Sequence, residues 1–89
     1  MKLLDLNPQW IDRDWDDRKK IGITFKCTHC EERVQLFFSN PLDGGPPKGA
    51  DPRWQVTHGW EFRELSLYPS IDWLGHMHVS VDHGEVRKA

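Results

Sequence analysis

The chain has 89 residues, a formal net charge of −2 and 29% charged residues. That length serves one hydrophobic core and leaves no room for a second domain. The acidic balance lacks the lysine and arginine excess that neutralises phosphate backbones, so nucleic acid is not the expected partner. No segment approaches the ~20 apolar residues of a membrane span. The start, MKLLDLNPQW, has no apolar run of signal-peptide length. The two cysteines lie three positions apart, too close to cross-link a fold, which points to a reducing, cytoplasmic setting.

Residues 1–19 read as an arm. Asn7 and Pro8 have the types that cap and open a short helix, and Trp10, Ile11 and Trp15 would give it one apolar side. An irregular arm that docks its tryptophans and leaves Asp12, Asp14, Asp16 and Asp17 in water fits the same residues. From Lys20 the period changes to two: Ile21, Ile23, Phe25 and Cys27 alternate with Gly22, Thr24 and Lys26. Val34, Leu36 and Phe38 alternate likewise, so the two runs read as an antiparallel hairpin with its tip at Cys27 to Glu32. Residues 40–52 form a Pro/Gly-rich loop in which neither helix nor strand continues.

Beyond the loop, Trp54 and Val56 begin another alternation, and Trp60 and Phe62 extend it past Gly59. In the last stretch, GHMHVSVDHGEV, Met77, Val79 and Val81 are apolar while His76, His78, Ser80 and Asp82 are polar, so one face packs and the other presents imidazoles. Asp82-His83-Gly84 is turn chemistry, and Glu85 to Arg87 returns as a final strand. The expected fold is mainly β: a small zinc-stabilised antiparallel domain over residues 1–89, of hairpins in the manner of a zinc ribbon or knuckle, with one short N-terminal helix at most.

The most specific signal is Cys27-Thr28-His29-Cys30. A Cys-x-x-Cys at the tip of a strand-turn-strand lets both sulfurs converge on one ion. A redox reading needs a helix after the motif to lower the attacking thiol's pKa, and EERVQLFF alternates as a strand instead. Two thiolates leave tetrahedral zinc two ligands short. His76 and His78, two apart on a strand, share a face with alpha carbons about 6.5 to 7 Å apart, within reach of one ion. The expected ligand set is therefore Cys27, Cys30, His76 and His78 around a structural Zn2+; His29, His58 and His83 are weaker candidates. With only three ligands the open position would hold a water, and Glu31, Glu32, Asp82 or Glu85 would be the available bases. No phosphate loop, nucleophile elbow or HExxH motif is present. Among the five tryptophans, Trp54 and Trp60 read as core, whereas Trp15, beside Asp16 and Asp17, and Trp73 are candidates for anchoring a protein partner.

LNPQW, GITFKCTHC, NPLDGGPP, LSLYPSI and the terminal H-x-V-x-V-x-x-G-E-V together resemble a small domain-of-unknown-function family of phages and bacteria. Its members often carry the label ammonia monooxygenase, and some bacterial ones accompany ubiquitin-like conjugation systems. That label implies a membrane-embedded copper enzyme, for which this chain has neither a span nor a ligand set. Relatives pair an early cysteine knuckle with a later Cys-x-x-His after Pro-Ser-Ile. The resemblance thus implies zinc on Cys27, Cys30 and His78, with Gly75 where the later cysteine would stand and His76 as its substitute. The functional expectation is a non-enzymatic, zinc-binding accessory protein of phage type. It would act on a host or phage protein, as an inhibitor or anti-defence factor, in the host cytoplasm. The alternatives are a zinc-dependent hydrolase or conjugation-linked enzyme with an open metal site, and a nucleic-acid-binding zinc ribbon.

Overall fold

A computed structural model describes residues 1–49 and 52–89; Ala50 and Asp51 of the Pro/Gly-rich loop lie outside the described residues. Among the described residues eight strands run in chain order: β1 (Gln9–Asp12), β2 (Lys20–Lys26), β3 (Arg33–Phe37), β4 (Gln55–His58), β5 (Ser66–Tyr68), β6 (Ile71–Trp73), β7 (Met77–Asp82) and β8 (Glu85–Lys88). Among the described residues they form three antiparallel sheets, ordered β1-β2-β3, β4-β5 and β6-β7-β8. The mainly β expectation holds. No helix among the described residues is long and apolar enough to cross a membrane.

The hairpin read from alternation is β2–β3, with Phe25 opposite Val34 and Ile23 opposite Leu36. The inward residues of β2 and β3 meet those of β5, β6, β7 and β8 in one core, where Phe25, Phe38, Ile23, Leu65 and Ile71 are fully or almost fully buried. Two bridges close the assembly: Lys2 pairs with Glu85, and Phe38 pairs with Trp54. Gly84, at φ 76, sits in the β7–β8 turn, where a side chain would run into the Arg63 carbonyl. Its amide reaches the Leu65 carbonyl at 2.8–2.9 Å, as the Leu3 amide reaches the Gly84 carbonyl.

The N-terminal arm departs from the helix expectation. Leu3–Leu6 is a 3-10 turn that buries Leu3 and Leu6; Asn7, at φ 49, ends it instead of capping a helix after it. Asn enters the left-handed region more readily than most residues, and Pro8 then leads into β1. Pairing decides the outcome, because Trp10 lies opposite Ile23, stacks on Phe62 at 4.5 Å and meets Phe38 edge-on at 6.3 Å. Local helix signals do not survive that burial. Trp54 and Trp60 pack against the core as expected, while Trp15 is 98% exposed.

The first part of the Pro/Gly-rich loop is tied to this arm. Arg13 donates from Nε to Asp43 at 2.6 Å and from its guanidinium to the Pro46 carbonyl at 2.7 Å. The Gly45 amide and Arg13 together hold the Asp43 carboxyl below the ordinary carboxylate range. A carboxyl depressed on folding stabilises the native state above its unfolded pKa, and that contribution disappears as pH falls through the folded value. Asp43→Asn should therefore lower the melting temperature at neutral pH, with the difference from wild type closing as the solution is acidified. A difference that persists in acid would remove the charge from the account.

Candidate functional site

β6 and β7 make a tight hairpin in which Ile71 faces Val79, Asp72 faces His78 and Trp73 faces Met77. Leu74, Gly75 and His76 form its turn, closed by the His76 amide donating to the Trp73 carbonyl at 2.9 Å. Gly75, at φ 80, supplies the left-handed residue such a turn needs. The hairpin carries two chemically distinct groups, one at its turn and one at its open end.

At the turn, the ligand atoms of Cys27, Cys30 and His76 all lie within 4.8 Å of one another. Cys27 follows directly on β2 with its side chain in the core, 3% exposed, and its amide donates to the Glu32 carbonyl at 2.8 Å, closing the knuckle. The His29 amide points at the Cys27 sulfur at 3.4 Å. His76 turns Nδ1 toward the Cys30 sulfur at 3.4 Å and Nε2 toward a Glu32 carboxylate oxygen at 3.3 Å. The indole of Trp73 stacks on the imidazole at 3.8 Å and fixes its plane. The Glu32 backbone amide pulls the Cys30 thiol pKa down, yet burial, the Cys27 sulfur alongside and the Glu32 charge raise it overall. Negative groups crowded in this way are what a cation relieves. The donor set fits a metal ion: two thiolates and an imidazole whose far nitrogen is held by a carboxylate, the arrangement that orients metal-binding histidines.

His78, the fourth residue of the ligand set expected from the sequence, lies outside this cluster of three. The i, i+2 argument assumed that both histidines lie on one strand, but His76 is in the turn and β7 begins only at Met77. The two rings consequently have different neighbours. His78, exposed on β7, directs Nε2 at the hydroxyl of Ser70, 3.4 Å away, just before β6. Asp72 lies directly across the hairpin from His78 on the same outward face. A hydroxyl facing an imidazole nitrogen has the residue types that nucleophile and base pairs use, and the distance is long for a hydrogen bond, as such pairs commonly are before substrate tightens them.

A second serine shows the contrast. Ser66 is buried, donates to Asp82 at 3.2 Å and accepts the His83 amide at 2.9 Å, so its hydroxyl latches β5 to the β7–β8 turn. The His83 ring bonds Asp82 at 2.6 Å, which holds the Asp82 carboxyl below its ordinary range, and packs against His58 at 4.6 Å. Among the described residues, Ser70 is the serine whose hydroxyl meets an imidazole nitrogen. Comparison with known families finds that the model described as bacterial ubiquitination-like system serine protease (BubE) matches residues 5–89.

The chain belongs to the BubE family.

No curated protein and no solved structure matches the chain. The BubE match supports the bacterial, conjugation-linked part of the resemblance, and nothing in it bears on a phage origin or on a host or phage partner. Ser70, inside the Pro-Ser-Ile motif, is not among the residues singled out from the sequence, although a signal for its place beside His78 exists. The signal was parity: pairing residues 71–73 with 77–79 across a three-residue turn puts the even positions Ser70, Asp72, His78 and Ser80 on one face.

Proposed function

We propose that this BubE-family chain is a serine peptidase acting within a bacterial ubiquitin-like conjugation system, with Ser70 as nucleophile and His78 as general base. The observation that carries the reading is the Ser70 hydroxyl facing His78 Nε2 in a chain of this family. His78 takes the hydroxyl proton as Oγ attacks the carbonyl carbon, and returns it to the nitrogen of the leaving amine. The resulting acyl-enzyme is then opened by water through the same two proton transfers. Asp72, directly opposite His78 across the hairpin, is assigned to orient the imidazole.

In this reading the metal is structural. Cys27, Cys30 and His76 would hold zinc, the ion that two thiolates and an imidazole suit best. When bound, it ties the β2–β3 knuckle to the turn of the hairpin that bears Ser70 and His78. The labelling test uses a fluorophosphonate: an adduct mapped by mass spectrometry to Ser70 and abolished in Ser70→Ala supports the assignment, and a protein that resists labelling overturns it.

The protein-partner expectation becomes a substrate-docking one. Trp15 projects from a turn in which Asp14 and Trp15 both have positive φ, 56 and 59. Non-glycine residues held there cost energy that packing of the free chain does not return. Trp15, with the neighbouring Asp16 and Asp17, is assigned to contact the protein substrate, while Trp73 is committed to His76. Trp15→Ala should leave stability within about 0.5 kcal/mol of wild type. The same change should weaken capture of the ubiquitin-like protein about 30-fold, as loss of a central tryptophan anchor does. Unchanged capture would free Trp15 of this role.

A further inference from the structure

Beside His78 lies a cavity of about 320 Å³ between the knuckle and the β7–β8 hairpin. Val79 and Val86 supply its buried apolar floor, and His29, Arg87 and Lys88 stand at its exposed rim. No carboxylate lines it among the described residues. Arg87 and Lys88 make no close ion pair among the described residues, Arg87 reaching the Asp82 carboxylate only at longer range, so the rim presents positive charge. This charge is local, since the chain as a whole is acidic.

The chemistry of the pair assigns a direction to this cavity. In the peptidase reading, on which the inference rests, the base that receives the serine proton delivers it to the departing amine, so the leaving half of the substrate must lie against His78. His78 lines the cavity and Ser70 does not. We infer that the cavity is the leaving-side specificity pocket and that it selects a carboxylate close to the new amino terminus. The carboxylate is that of an acidic side chain or of a chain end one or two residues beyond the cleaved bond. Apolar walls beneath a cationic rim lower the screening of that charge, which makes it a recognition element and not a diffuse attraction.

An acyl-enzyme can be opened by an amine instead of water, and by microscopic reversibility the incoming amine occupies the leaving-side site. The experiment acylates the metal-loaded protein with p-nitrophenyl acetate and lets defined amines compete with water. These are glutamic acid α-amide, glycylglycine with its free carboxylate, glycinamide and lysine amide. Aminolysis by the carboxylate-bearing amines should exceed that by lysine amide by about tenfold, a factor worth about 1.4 kcal/mol. The preference should shrink as salt is added and invert in Arg87→Glu/Lys88→Glu. The glutamyl and glycylglycine arms tell a side-chain carboxylate from a chain end. Equal partition among the amines in a protein that acylates at Ser70 overturns the pocket and leaves the peptidase reading standing. Failure of Ser70 to acylate overturns both. The salt series reads the same charge without any substitution, so a misfolded variant does not shield the inference.

Discussion

Replacing His76 and His78 by alanine, two positions apart in one hairpin, should give opposite results. His76→Ala removes one of three clustered donors and leaves Cys27 and Cys30 facing a carboxylate. A structural zinc contributes about 10 to 16 kcal/mol of apparent binding free energy in small domains, against a total stability of about 5 to 15 kcal/mol for a typical native protein. His76→Ala, like Cys27→Ser, should therefore emerge without stoichiometric metal and without a cooperative melting transition. His78→Ala, an exposed strand position facing away from the core, should keep both the metal and a stability within about 0.5 kcal/mol of wild type. Metal content per chain and thermal unfolding of the two variants decide the matter. Loss of metal from His78→Ala would return that residue to the ligand set.

Turnover should divide the other way. Ser70→Ala should lower the rate of acyl transfer by about 10,000-fold or more, His78→Ala should do comparable damage, and the double variant should be little worse than either alone. Groups that act as one unit lose their effect together. Pre-steady-state release of nitrophenol from an activated ester measures this directly, because the burst reports the acyl-enzyme. Ser66→Ala is the informative control: it removes a buried hydroxyl with two partners and should cost about 1 to 3 kcal/mol of stability while sparing the burst. A burst that survives in Ser70→Ala would refute the assignment of the nucleophile.

Much of the architecture was legible because it is written in parity. Ile21, Ile23 and Phe25 of β2, and Met77, Val79 and Val81 of β7, are buried on the alternate positions the sequence predicts. The Asp82-His83-Gly84 turn delivers β8 as expected, with Asp82 opposite Glu85. The cysteine knuckle and one of its histidines were equally readable, since a Cys-x-x-Cys between two strands restricts where its partner can lie. What escaped were features that depend on register. Whether Leu74, Gly75 and His76 are strand or turn decides which histidine meets a sulfur and which meets a hydroxyl, and a one-residue slip exchanges the faces. The N-terminal arm failed for a different reason: Asn7 and Pro8 carry the chemistry of a helix start, but the burial of Trp10 against Phe62 and Phe38 outweighs it.

The separation between Ser70 and His78, eight residues along one hairpin, also bears on how this chemistry is inherited. Many hydrolases gather nucleophile and base from distant parts of the chain, so an exchange of segments between genes can part them. Here both travel on a single short stretch of coding sequence. Insertions in the loop after β3, or divergence of the arm, leave them together, whereas one added codon between Trp73 and Met77 would change the turn that sets the register of β6 against β7. Length variation across descendants of this fold should consequently gather in the loops and be absent from that turn.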